Sequence, residues 1–360
     1  MTQPRPPDTL GLWEAAAALP EQLSRALQEA RSAFAGGLAD AASVRAVAAL
    51  GLGTAATACE VAAAVAAPSL AMPFWVGRGA ELPAFVGEGT LVIAVALAGA
   101  SPETVSAARA ARARGAHVVA VGGEDALSPL LGDGELPWCH VAPEGPAARA
   151  AIGAATVPVL VALSEAGLVP DPAASVTAAA SALAPRVAAF RAPRGPGAEL
   201  ARRIGRTIPL VYGSNGVGGA AARWWKERLN VGAKTPAFAA ELPAAAYGEL
   251  AGWGQGGDIT RQAMTLVLLR HRGEDPDVAS LYAPVRAAVD EVMADVIEVW
   301  AEGGDDLGRF FDLAVLGELV ALHLAAREGV DPGPAPALDE ARARSREAVA
   351  DSSGRSTTRR

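Results

Sequence analysis

The chain is poor in the residues that announce chemistry. Two cysteines, Cys59 and Cys139, stand far apart in 360 residues. They form no disulfide framework and no paired-cysteine metal site, so neither a metal nor an oxidising compartment is expected. Four histidines, His117, His140, His271 and His323, are too scattered to make a ligand set. Aromatics are only 5% of the chain against 51% hydrophobic residues, so the core must be built from Ala, Val and Leu in closely packed layers. Positive charge is also short: the net charge is −8 and the arginines form no stripe, which excludes a nucleic-acid surface.

A continuous membrane-length run is missing too. Residues 61–77 are uncharged, but Pro68 and Pro73 break them, so a buried loop-to-strand segment is expected and no membrane partner. The first twenty residues lack a basic start followed by an apolar run, and a cytoplasmic location is the corresponding expectation.

What is present is alternation. Short apolar runs alternate with alanine-rich helical patterns, the signature of a mostly parallel sheet flanked by crossover helices, an α/β fold. The first half predicts strands near 45–50, 72–76, 90–97, 117–121 and 139–141, with helices near 54–66, 102–114, 147–166 and 172–190. After a Pro/Gly linker at 192–197, the second half predicts strands near 208–212, 236–239, 264–269 and 295–300. Helices are expected near 198–204, 218–229, 278–292 and 307–327. The organisation expected is an N-terminal helical segment at 1–40, α/β domains at 41–191 and 198–343, and a polar, disordered tail at 344–360.

Several turns follow strands and open helices, where free backbone amides can hold an anion. One is Gly51-Leu52-Gly53-Thr54. It lacks the third glycine and the downstream acidic residue of a dinucleotide site, so no cofactor is expected, and its glycines would let a sugar lie against the backbone. Another runs Ala98-Gly99-Ala100-Ser101-Pro102-Glu103-Thr104. It reads either as a phosphate cradle or simply as a helix start with Ser101 as cap. In the second half, Gly213-Ser214-Asn215-Gly216 would bind sugar hydroxyls or only permit tight strand–helix packing. Arg149, beside a helix start, either meets an anionic ligand or is an ordinary surface arginine.

Residues 223–253, RWWKERLNVGAKTPAFAAELPAAAYGELAGW, resemble a segment of the bifunctional phosphoglucose/phosphomannose isomerases, a family of sugar isomerase (SIS) proteins. That family typically shows R-W-K-x-x-L-N-E-N-A-K-x-P-A-F and then L-P-E-L-N-H-N-E-I-x-G-W. Residues 51–56 resemble its G-M-G-G-S-G turn, 98–104 its S-Y-S-G-N-T-E-E-T cradle, 145–151 its G-Y-x-P-R-A-A, and 329–332 its G-V-D-P close; similarity runs from about Ala46 to Arg342. The resemblance implies two SIS domains, a phosphorylated sugar as ligand and a homodimer whose sites draw on both subunits. It assigns substrate binding to Gly51, Gly53, Thr54, Gly99, Ser101, Thr104, Gly213, Ser214 and Asn215. Arg149 falls on the arginine that favours the enediolate, Lys234 keeps the lysine place, and Arg342 falls where the tail supplies a lysine.

The two proton-handling residues do not carry over. Val231 stands where the family has the glutamate that moves the proton, and Tyr247 where it has the histidine that helps open the ring. Valine cannot carry a proton, and the tyrosine hydroxyl ordinarily titrates near 10. The expectation is a phosphosugar-binding protein with the usual aldose–ketose isomerisation impaired or altered. Alternatives are an isomerase with a displaced base, Glu249 or Glu241, and a non-catalytic interaction protein.

Overall fold

The computed structural model describes residues 7–38, 40–99, 101–132, 135–141, 148–341 and 343–344. Two helices, α1 (Leu12–Ala17) and α2 (Leu19–Phe34), precede the first sheet. That sheet comprises β1 (Ala46–Leu50), β2 (Phe74–Gly77), β3 (Thr90–Ala96), β4 (His117–Gly122) and β5 (Trp138–His140). Its connections and return are α3 (Thr54–Ala66), α4 (Pro102–Ala113), α5 (Glu124–Leu131), α6 (Ile152–Glu165) and α7 (Ala173–Arg191). The second sheet holds β6 (Ile208–Ser214), β7 (Phe238–Leu242), β8 (Met264–Arg270) and β9 (Asp295–Trp300). With it go α8 (Pro196–Ile204), α9 (Val217–Val231), α10 (Ala244–Gly248), α11 (Gly257–Ala263), α12 (Pro276–Val289) and α13 (Asp306–Glu328).

Both sheets are parallel throughout, in the orders β2-β1-β3-β4-β5 and β7-β6-β8-β9. The alternation of strand side chains explains the layering. On β1 and β3, Val47, Ala49, Leu91, Ile93 and Val95 face one core while Ala48, Leu50, Val92 and Ala94 face another, under α4 and α5. On β6 and β8, Leu210, Tyr212, Leu266 and Leu268 pack under α12, whereas Val211, Val267 and Leu269 face inward. The inward faces of both sheets join one continuous core through α2, α3, α6, α7, α9 and α13. The α3–α9 layer therefore lies between the sheets, and the C-terminal strand ends flank it.

Most expected elements appear within a residue or two of their expected limits. The 192–197 linker is shorter than expected, because Pro196 and Gly197 already begin α8. Pro196 suits the first helical turn, where its missing N–H costs nothing. Residues 61–77 divide into the end of α3 and strand β2. One helix among the described residues, α7, is long and apolar enough to cross a membrane; Val176, Ala179, Leu183, Val187 and Phe190 bury one of its faces in the core. The described part of 336–344 is helical and Arg344 pairs with Glu340; 345–360, nearly all of the expected tail, lie outside the described residues.

Candidate functional site

The first sheet changes direction between β1 and β3, since β2 lies to one side of β1 and β4 lies beyond β3. Ligands of open α/β sheets bind beside the C-terminal strand ends at such a switch point. The turn after β1, with Gly51, Gly53 and Thr54, and the turn after β3, with Gly99, Ser101 and Thr104, stand on its two sides. Gly53 takes φ +55° and ψ −127°, a conformation that suits glycine and aims the first turn of α3 back at the strand end.

Thr54, buried at the start of α3, donates from Oγ1 to the carbonyl of Arg149 at 3.2 Å. Arg228, on α9, donates from Nη1 to the same carbonyl at 2.8 Å. The Arg149 side chain donates from Nη2 to the carbonyl of Gly333. Lys234 donates from Nζ to the carbonyl of Pro332 at 3.3 Å and to that of Val231. One turn, 331–333, thus anchors both cationic side chains. Burial and then the Arg149 charge push the Lys234 ammonium below its ordinary value, opposed by Asp331. Lys234 also has φ +55°, the sole non-glycine residue with positive φ among those described. Such strain persists only where surrounding contacts hold it.

Three carboxylates among the described residues adjoin this cluster: Asp331, Glu318 and Glu227, the last with Oε2 3.7 Å from Arg228 Nη2. Asp331 accepts from the amides of Thr9 and Gly333. Glu318 is buried beside Arg228; burial raises its carboxyl above the usual range, with Arg228 and Arg149 pulling it down. Val231 ends α9 and offers the cluster only its carbonyl and an aliphatic side chain.

At the second turn, Ser101 occupies the cap position of α4, but its side chain makes no capping bond, contrary to the cap reading. Thr104 is buried. The Gly99 amide is not open: it donates to Asp125 Oδ2 at 3.1 Å, so a carboxylate of the chain itself sits at this anion position. Ala100 lies outside the described residues.

The other candidates are distributed differently. Glu249 accepts from the Tyr212 hydroxyl at 2.6 Å. Glu241 pairs with Arg223, which also holds Glu60, itself paired with Arg78, in a charged chain joining α3, α9 and β7. Tyr247 lies on α10 and is 85% exposed. Arg342 and the first three residues of the 145–151 motif, Gly145 to Ala147, lie outside the described residues. The third glycine turn ends β6: Ser214 is buried and its Oγ lies 3.0 Å from His271 Nε2. His271 Nδ1 accepts the Gly273 amide, which puts the neutral ring's proton on Nε2, donating to Ser214. A Cβ at Gly213 would lie 2.1 Å from the Gly218 carbonyl, so tight strand–helix packing accounts for that glycine. Asn215 donates its amide to Leu242.

Arg149, Lys234 and Thr54 are therefore together; Glu249, Tyr247 and Ser214 are elsewhere. Sequence reasoning passed over Arg228 and Glu318. Their signal was charge on the inner faces of apolar helices, a position charged residues take only when paired.

Residues 194–344 match the bacterial phospho-glucose isomerase C-terminal SIS domain. A bifunctional phosphoglucose/phosphomannose isomerase from Caldicellulosiruptor bescii is 26% identical over 273 residues, 74% of this chain and 80% of that protein. Among solved structures, tagatose-6-phosphate ketose/aldose isomerase from Escherichia coli superposes with a TM-score of 0.68 at 14% identity, covering 90% of this chain and 96% of that one. The C-terminal domain of glucosamine-fructose-6-phosphate aminotransferase from Francisella tularensis gives 0.67 at 13% identity, covering 90% and 98%. At these identities the structures share the fold.

Proposed function

We propose that the chain, similar over residues 194–344 to the bacterial phospho-glucose isomerase C-terminal SIS domain, is a member of the SIS family of bifunctional phosphoglucose/phosphomannose isomerases that binds a phosphorylated sugar without the usual aldose–ketose isomerisation. The sugar lies against the turn after β1, near Thr54 and Arg149, and its phosphate lies against the start of α4, displacing Asp125 from Gly99. Arg149 and Lys234, held at the 331–333 turn, supply positive charge beside the sugar. The protein works as a cytoplasmic homodimer; Tyr247, Ile259 and Phe238, more than half exposed, belong to the apolar surface the second subunit covers.

One observation carries this reading. The two cations converge on a turn next to Val231, and among the described residues the nearby carboxylates are engaged by other groups, Asp331 by the Thr9 and Gly333 amides and Glu227 and Glu318 by the Arg228 charge, while position 231 itself has none. A carrier needs a lone pair and a tunable pKa, and an aliphatic side chain has neither. The displaced-base alternative loses support, because Glu241 is held by Arg223 and Glu249 by Tyr212.

Isothermal titration with fructose 6-phosphate tests the binding. A saturable isotherm is the expected outcome, weakened about tenfold or more in R149M, since hydrogen bonds to charged groups are worth roughly 1.5–3 kcal/mol. Absence of binding contradicts the proposal. Introducing the carboxylate, V231E, should raise aldose formation above the wild-type level; unchanged turnover would show that position 231 lies outside the reacting region.

A further inference from the structure

Beneath Arg149 lies a pair of buried charges that binding does not directly use. Arg228 is 5% exposed and Glu318 6% exposed, each on a helix whose neighbouring inward residues are apolar. The Arg228 guanidinium stacks 4.2 Å over the Trp224 ring, and its Nη1 lies 3.8 Å from Glu318 Oε2. That Glu318 oxygen has no hydrogen-bond partner among the described residues. Trp224 is itself tied down, its indole N–H donating to the Ala314 carbonyl at 3.0 Å, one turn before Glu318 on α13. A buried ion pair of this looseness adds little stability over apolar packing, so its presence calls for another task.

The task is visible at the Arg149 carbonyl. It receives two donors, Thr54 Oγ1 and Arg228 Nη1, and the next carbonyl, Ala150, is held by Gln22 Nε2 at 3.2 Å. Arg228 thus links the Arg149 backbone to the Thr54 end of α3; Glu227 lies 3.7 Å from its Nη2 on the same helix, and Glu318, 3.8 Å from Nη1, supplies the buried counter-charge on the Arg149 side. We propose that Arg228 and Glu318 are positioning residues for Arg149, fixing it and Thr54 as one unit against the sugar phosphate. This rests on the proposed function, and it adds a support for the site built from α9 and α13.

The test is a double-mutant cycle read by titration with fructose 6-phosphate. If Glu318 acts through Arg149, E318Q weakens binding about tenfold in the wild-type background and less than about twofold in R149M, because coupled residues are non-additive. R228Q should behave likewise, so the cycle survives if one variant fails to fold, and R228K should recover part of the loss. A purely packing role predicts the same loss in both backgrounds, and that result overturns the inference while leaving the proposed function standing. Wild-type affinity in E318Q overturns it equally. Absence of binding by the unaltered protein contradicts the proposed function, and the inference with it.

Discussion

Gly99 and Asp125 show how a single contact alters the meaning of a motif. The strand-to-helix turn presents an amide, a serine free of capping and a helix start, all suited to phosphate, yet a carboxylate oxygen already accepts from Gly99. A bound phosphate would have to displace that carboxylate and tolerate its charge. Removing a like charge at about 4 Å in largely watery surroundings is worth ~1 kcal/mol, so D125N should bind fructose 6-phosphate about fivefold more tightly by titration. Unchanged or weaker binding would place the phosphate away from Gly99. Asp125 was not legible as an occupant, because its approach depends on how α5 lies beside the β3 turn. The same holds for Arg223 with Glu241 and Tyr212 with Glu249, whose pairing only the folded arrangement reveals. The resemblance singled out Thr54, Arg149 and Lys234; the meeting of Arg149 and Lys234 at the 331–333 turn, with Thr54 on the Arg149 carbonyl, comes only from the folded arrangement.

Strands and long helices could be read from the sequence because their patterns are strong. β3 is a buried run bounded by a glycine turn on each side, and α3 and β9 match the expected limits. The short helices α5, α10 and α11 were missed: fewer than two or three turns give too little periodicity to separate from loop. Helix contacts also escaped the sequence. A Cβ at Gly317 on α13 would lie 2.4 Å from the Trp225 indole, which donates to the Leu313 carbonyl at 2.7 Å. Overpacking of this kind costs about 1–3 kcal/mol, so G317A should lose that much stability in chemical denaturation; no loss would show that α9 and α13 can separate freely.

Two histidines make element packing sensitive to pH. His323 on α13 lies 3.1 Å from the Phe190 carbonyl and edge-on to Trp13, and His271 lies against Ser214. Burial depresses both below the ordinary histidine value. A depressed folded-state value favours the neutral ring, so the unfolded chain binds more protons in this range. The resulting stability is complete above about pH 6.5, the unperturbed value, and is lost as pH falls below it. Melting temperatures recorded from pH 7.5 to 5 should fall, and H323N should flatten part of that fall; a flat wild-type curve would contradict the assignment.

At the scale of the whole molecule, the sequence indicated two α/β halves and a parallel arrangement, but not strand order or the shared core. The order β2-β1-β3-β4-β5 decides where a ligand lies, because it creates the switch point between β1 and β3. One core through α3, α9 and α13 then brings Arg228 and Lys234 of the second half to Thr54 and Arg149 of the first. Light scattering after size exclusion should give twice the chain mass, and Y247E with I259E should lower it to one; a monomeric wild type would contradict the dimer.

The central claim, binding without proton transfer, is tested most directly by one NMR experiment on fructose 6-phosphate and the protein in heavy water. Saturation transfer reports binding, and deuterium at C1 with aldose formation reports proton movement. Clear transfer to the sugar is expected, with neither deuterium uptake nor aldose above the protein-free control. Aldose appearing at about one turnover per second or faster, the ordinary enzyme range, would contradict it.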